Sequence, residues 1–174
     1  DLRVDLSGIA KGFAVDAAAA ALDAQGYADY MVEAGGEVRT RGRNAAGQPW
    51  QIAIERPDAT PQRAHRIVPL SGLALATSGD YRIYFERDGA RYCHEIDPAT
   101  GRPVAHGLAS VSVAARDCGY ADAMATALFV LGPERGVALA QRHDVAAHFV
   151  VRDGRGGFRD VPTAAFAALG AVAA

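Results

Sequence analysis

The sequence predicts an α+β domain built on a mainly antiparallel sheet. Three observations carry this. Many short runs alternate apolar and polar side chains and stop at Gly, Pro or Asp, as half-buried strands do. Helical patterning is confined to a few stretches and does not interleave regularly with the strands. The 174 residues, 50% hydrophobic and 22% charged, are enough for one domain with a real core and contain no repeat, linker or composition break, so residues 1–174 read as a single domain.

In chain order, DLRVDLSGIA alternates and reads as a strand, a tight turn follows, and the Ala-rich KGFAVDAAAAALDAQG reads as a helix stopped by Gly26. YMVEAGGEVRTRGR reads as a strand interrupted at Gly35-Gly36, and PWQIAIERP as an alternating strand ending at Pro57. Asp58 to His65 is polar around Pro61 and reads as a loop. RIVPLSGLALATSG and YRIYFERDGARYCHEID supply further strands, with Asp88-Gly89 marking a hairpin turn. ASVSVAARD is a strand leading into the helix GYADAMATALFVLG, which Gly132-Pro133 ends while opening a second helix, PERGVALAQRH. AAHFVVRDG and GFRDVPT read as a hairpin-like pair, and AAFAALGAV as a short apolar helix.

Composition excludes some functions. Net charge is −2, Lys11 is the sole lysine and the arginines are scattered, so no electrostatic footprint for nucleic acid is present. The longest apolar runs are broken by Asp or Gly before about 18 residues, so a soluble domain without a membrane-spanning helix is expected. The first residue is Asp1 rather than Met and no basic-then-apolar leader precedes it, which fits a missing upstream segment or a processed form. Cys93 and Cys118 lack metal-ligand spacing; two free, semi-buried thiols are favoured over a bridge.

Four polar clusters could carry chemistry. Ser7-Gly8-Ile9-Ala10-Lys11-Gly12, at a strand-to-helix turn, offers backbone N–H groups, a helix dipole and an ammonium to an anion, or is an ordinary turn with an exposed lysine. Ala34-Gly35-Gly36-Glu37 lets a ligand or another backbone approach closely, although a β-bulge is the better reading. Thr77-Ser78-Gly79-Asp80 combines with Cys93-His94-Glu95-Ile96-Asp97-Pro98, where His94 can act as a general base on a nearby hydroxyl, although a lone histidine is more often a surface or satisfied core residue. His65, His106, His143 and His148 lie in loop, helix or strand contexts with no evident partner. Finally, Asp122 and Thr126 stand at i and i+4 on one helix face and offer hard oxygens suited to magnesium, or are a helix N-terminal aspartate with a half-buried threonine.

In their order and spacing, DLSGIAKGFAVD, EAGGEVRTRG, ATSGDYRIYFERDGARYCHEIDPATGRPV and YADAMATALFVLGPERG resemble the ApbE-type flavin transferase family, the FAD:protein FMN transferases once described as thiamine-biosynthesis lipoproteins. The resemblance runs from Asp5 to about Gly136. It implies an ApbE-like, T-fold-like architecture, of which this chain is the C-terminal portion, lacking the family's N-terminal portion. It also implies a Mg2+-dependent reaction in which an acceptor threonine hydroxyl attacks FAD at the FMN-side phosphorus and AMP leaves.

Carried over by motif, Asp122, Thr126 and the Ala10 carbonyl are the metal ligands that the resemblance implies, and His94 is the base. Ser7, Lys11, Gly35, Gly36, Ser78, Gly79 and Ile96 would line the FAD site. Ser7 stands where a glycine is usual, and Glu95 where an apolar residue is usual, beside His94, whose pKa it is expected to raise. The family further implies an extracytoplasmic, periplasmic and membrane-associated lipoprotein, with a flavoprotein subunit of a membrane redox complex as acceptor. Two alternatives accompany the transferase: an FAD pyrophosphatase giving FMN and AMP, and a non-catalytic flavin-binding domain.

Overall fold

The computed structural model describes residues 4–58, 61–87 and 90–174. The opening strand is not formed at Val4 to Leu6: helix α1 (Ser7–Ala24) begins directly, its first N–H held by the Asp5 carboxylate at 2.8 Å. The Ser7 to Gly12 segment therefore lies inside a helix rather than at a strand-to-helix turn. Alanine, the best helix former, carries α1. Its end is closed as expected by Gly26 at φ 83°, with Gly26 N–H bonded to the Asp23 carbonyl and Tyr27 N–H to that of Leu22, the Schellman pattern.

Next come β1 (Tyr30–Ala34) and β2 (Glu37–Arg41), paired antiparallel with Ala34 opposite Glu37. Gly35 and Gly36, at φ 66° and 99°, are thus the two-residue loop of a hairpin and not a bulge. Two consecutive positive-φ residues match the twist of the flanking strands, and glycine meets that demand without a Cβ clash.

A six-stranded antiparallel sheet is ordered β1-β2-β5-β10-β11-β12, where β5 is Ala74–Gly79, β10 Leu108–Ala115, β11 Ala146–Arg152 and β12 Phe158–Pro162. A second sheet joins β3 (Trp50–Glu55), β4 (Ala64–Leu70) and β13 (Val172–Ala173). β4 starts at Ala64, inside the stretch expected to be loop. Two ribbons complete the strands: β6 (Tyr84–Arg87) with β7 (Ala90–Cys93), and β8 (Ile96–Asp97) with β9 (Arg102–Pro103). The expected Asp88-Gly89 turn lies outside the described residues.

Strand alternation divides the core in two. Ala76, Val111, Val113, Ala147 and Phe149 pack with Ala121, Ala125, Leu128 and Phe129 of α2 (Cys118–Arg142) on one face. On the other, Val38, Leu75 and Ala114 meet Ile52, Ile54, Val68 and Leu70 of the second sheet and Phe166 of α3 (Ala164–Ala167). Both cysteines are buried and free, as favoured from the sequence.

By length and composition alone the 25-residue α2 would reach across a bilayer, contrary to expectation. Gly132, at φ 77° and ψ −179°, breaks it before Pro133, which leaves the two helices the sequence predicts. Its inward side packs on β5, β10 and β11, so it is a core helix of this fold.

Candidate active site

Helices α1 and α2 cross antiparallel, and their closest contacts recur every four residues. A methyl group at Gly8 would stand 3.1 Å from Thr126 Cγ2, and one at Gly12 would stand 2.3 Å from the Cys118 carbonyl oxygen and 2.8 Å from Asp122 Cβ. One turn on, Asp16 accepts N–H bonds from Cys118 at 3.0 Å and Gly119 at 2.9 Å. Residues four apart share a helix face, so Gly8, Gly12 and Asp16 oppose Thr126, Asp122 and Cys118 in successive steps. Only a missing side chain at Gly12 permits so close a crossing.

Asp16 supplies from one helix the N-terminal cap that another needs. Burial opposes its charge, but the N–H groups of Gly119 and Cys118 and the Arg39 guanidinium outweigh burial and hold its pKa below the usual carboxylate range. Asp122 is buried, and its Oδ2 accepts the Gly12 N–H at 2.9 Å. Its Oδ1 has no hydrogen-bond partner among the described residues. Thr126, on the next turn, shares a hydroxyl contact of 3.2 Å with buried Ser78 at the end of β5. Gly79 follows, where a side chain would strike the Ala109 carbonyl at 2.7 Å.

Lys11 extends from α1 to Glu37, its Nζ donating to Oε1 at 2.7 Å. Glu37 is only 1% exposed, its Oε2 has no hydrogen-bond partner among the described residues, and burial raises its pKa against the pull of Lys11. The β1–β2 turn stands against this pair: a side chain at Gly35 would meet Lys11 Cδ at 3.1 Å, whereas one at Gly36 would meet nothing within 4 Å. Glu95 approaches from the segment between β7 and β8. Burial raises its pKa, the charges of His94 and Lys11 oppose, and Asp122 adds to the rise. Next to it His94 is exposed, with Nδ1 3.3 Å from the Ile83 carbonyl and Nε2 4.0 Å from Glu95 Oε1.

The sequence-predicted residues thus fall into one neighbourhood, with qualifications. Lys11, Ser78, Asp122 and Thr126 join through the contacts above, and Gly35, Gly79 and His94 border them. Ser7 and Ala10 lie in the first turn of α1, where the N–H groups of Ser7, Ile9 and Ala10 are already bonded to Asp5 or to the Leu6 carbonyl, so that turn is no open anion cradle. Ile96 is exposed in β8. Two clefts, of about 290 and 660 Å3, lie elsewhere; neither is lined by Lys11, Asp122 or Thr126.

Sequence reasoning missed Asp16 altogether and took Glu37 as part of a bulge. The available signal for Asp16 was its place four residues after Gly12, on the face that meets α2. It also left His65, His106, His143 and His148 without partners, whereas His106 Nε2 lies 2.8 Å from the Phe129 carbonyl, Asp160 lies 2.7 Å from His65 Nε2 and 3.6 Å from His148 Nε2, and Arg142 Nε donates to His143 Nε2 at 3.3 Å. The contacts of His65, His106 and His148 join residues from 12 to 95 positions apart, which no local pattern reveals.

This arrangement offers a hard-oxygen pair on one helix, a lysine paired with a buried carboxylate, and a histidine at the rim. Residues 1–149 match the model of the ApbE family. The chain belongs to that family. Among relatives of this ApbE-family chain, the FAD:protein FMN transferase of Haemophilus influenzae is 48% identical over 154 residues, 88% of the chain and 44% of the relative. That of Vibrio cholerae is 46% identical over 166 residues, 95% of the chain and 49% of the relative. Among solved structures, the Pseudomonas stutzeri flavinyl transferase ApbE in its apo form superposes with a TM-score of 0.85 at 50% identity, covering 97% of this chain and 51% of that one. The flavin transferase ApbE from Vibrio cholerae gives a TM-score of 0.85 at 45% identity, covering 96% and 52%. The ApbE-family chain therefore spans about half the length of the relatives it matches.

Proposed function

We propose that this chain carries the metal and base side of a Mg2+-dependent FAD:protein FMN transferase, which attaches FMN to a threonine hydroxyl of an acceptor flavoprotein and releases AMP. The observation that carries the reading is the antiparallel α1–α2 crossing, which sets Asp122 and Thr126 beside the Lys11–Glu37 pair. Its support from relatives is that those most similar in sequence are named for this activity.

The donor set fits magnesium. Asp122 offers an unbonded carboxylate oxygen and Thr126 a hydroxyl, both hard oxygens, and few protein ligands suffice for an ion that keeps water and phosphate in its shell. Asp122, Thr126 and the Ala10 carbonyl would hold it, and when bound it would neutralise charge on the pyrophosphate.

The chain's own side chains do the rest. Lys11 presents an ammonium whose position Glu37 fixes, and the bare Gly35-Gly36 turn leaves room for a ligand against it. Ser7, Ser78, Gly79 and Ile96 would complete the flavin nucleotide's contacts. His94, exposed at the rim, takes the proton of the attacking threonine hydroxyl as its oxygen bonds to the FMN-side phosphorus and the bond to the AMP oxygen breaks.

The test is to incubate the chain with FAD and an acceptor flavoprotein, with and without magnesium, following AMP and protein-bound flavin. Magnesium-dependent AMP with flavin fixed to acceptor threonine supports the transferase. AMP in equal amount without acceptor makes the chain an FAD pyrophosphatase instead. FAD binding without AMP would reduce it to a flavin-binding module.

A further inference from the structure

On the far face of the large sheet, three side chains that the flavin chemistry does not use converge. His148 pairs across the sheet with Ser112 of β10 and Pro162 of β12, while Asp160 occupies the adjacent same-face position of β12. Alternation turns His148 away from α2, because its neighbours Ala147 and Phe149 belong to the helix-side core. The third member comes from the second sheet. Between β3 and β4 the register slips, Ile54 opposing Arg66 and Glu55 opposing Ala64, so His65 is the extra residue of a bulge. A bulge re-aims side chains, and here two successive residues, His65 and Arg66, both reach Asp160.

The three are arranged as ligands rather than as a finished hydrogen-bond network. Arg66 donates from Nε and Nη2 to Asp160 Oδ2, at 3.0 and 2.5 Å, and so turns Oδ1 toward the histidines. Oδ1 lies 2.7 Å from His65 Nε2 and 3.6 Å from His148 Nε2. His148 is 1% exposed, yet neither of its ring nitrogens has a hydrogen-bond partner among the described residues. A buried imidazole with two orphan nitrogens is costly, on the order of 1–3 kcal/mol for each polar group left unmatched. Burial also keeps the ring neutral, the form that binds metals.

We infer that His65, His148 and Asp160 form a second cation site, separate from the flavin chemistry, that takes a divalent transition metal of the zinc class. Two imidazoles and one carboxylate suit Zn2+ far better than Mg2+. Among the described residues, the three ligand atoms all lie within 4.8 Å of one another. A tetrahedral zinc places its ligand atoms roughly 3.3 Å apart, so closure asks each side chain to move by about an ångström or less. Arg66 then plays the outer part, fixing the ligating carboxylate by its other oxygen. His65 and Asp160 are partly exposed, which gives the ion a path in and leaves a position for water. The ion would clamp β4 of the smaller sheet to β11 and β12 of the larger one.

The test is a cobalt titration of the metal-stripped chain at neutral pH in excess magnesium, followed by zinc. One equivalent of Co2+ with visible d–d bands, displaced by Zn2+, is expected. Loss of an outer-shell partner costs about 10- to 100-fold, so affinity should fall by at least about 100-fold in the ligand variants His65→Ala and Asp160→Asn, and stay unchanged in Asp122→Ala. Absence of bands in the wild-type chain, or cobalt affinity left unchanged in His65→Ala, would overturn the site. If the variants fail to fold, the imidazole nitrogen resonances of wild-type His65 and His148 decide: both must shift on zinc addition, and unmoved resonances sink the proposal.

Discussion

The Gly12 N–H points at the Asp122 carboxylate, 2.9 Å from Oδ2, at the place where α1 and α2 come closest. A side chain on Gly12 would drive into the Cys118 carbonyl, 2.3 Å away. Backbone cannot swing aside as a flexible side chain can. Gly12→Ala is therefore expected to lose about 1–3 kcal/mol, as overpacking does, read as a lower urea midpoint with an unchanged slope. The same variant should bind magnesium more weakly, because the helices that align Asp122 with Thr126 are forced apart.

Asp122→Ala separates stability from chemistry. Removing the carboxylate takes away a buried, charged acceptor of the Gly12 N–H, for a loss of about 1–3 kcal/mol. It also removes the proposed anionic magnesium ligand, so magnesium-dependent AMP release should vanish while the circular dichroism spectrum stays that of the parent. AMP release that persists at the parental rate would count against Asp122 as a ligand.

His94→Ala has a different signature. The side chain is exposed, so unfolding should be unchanged within about 0.5 kcal/mol. Flavin transfer to the acceptor should slow by about 100- to 10,000-fold, the usual contribution of a positioned base. Magnesium affinity should not move. A parallel loss of magnesium binding would mean that His94 supports the site's structure instead.

Asp16→Ala uncaps the first turn of α2. The N–H groups of Cys118 and Gly119 lose their acceptor, and the expected loss is about 0.5–2 kcal/mol by thermal or urea unfolding. The wild-type contribution should be present above the ordinary aspartate pKa and disappear as pH falls through the depressed folded value. The variant should lack that acid-side dependence.

His148 adds a second pH effect in the metal-free chain. Burial lowers its pKa from 6.5 to about 4 despite the charge of Asp160, with Arg66 and His65 adding to the fall. The unfolded chain then binds a proton that the folded chain refuses, so stability is full above pH 6.5 and declines toward pH 4. Urea midpoints across that window should flatten in His148→Phe. An equally steep wild-type and variant profile would assign the decline to other groups.

Much of the framework was legible because it rests on local chemistry. Gly26 closes α1, Gly132-Pro133 divides α2, and alternation marks β3 and β10. What escaped depended on partners distant in sequence. The alternation at Val4 to Leu6 has no strand to pair with among the described residues, so Asp5 serves the start of α1 instead. Gly35-Gly36 fits a bulge and a hairpin equally until β1 and β2 are seen to pair. Asp122 and Thr126 were visible as an i, i+4 pair, but nothing local shows that Gly8 and Gly12 lie against them. The His65 bulge is likewise a property of two strands, not of either alone.

The ion pair between Lys11 and Glu37 involves the sole lysine of these 174 residues. Uniform nitrogen labelling of lysine alone therefore produces one side-chain ammonium signal, with no assignment needed. That signal starts as a salt-bridged ammonium with slowed solvent exchange, and an arriving anion must either share it or displace Glu37. The chain thus carries a built-in, one-atom reporter at the edge of its own candidate site.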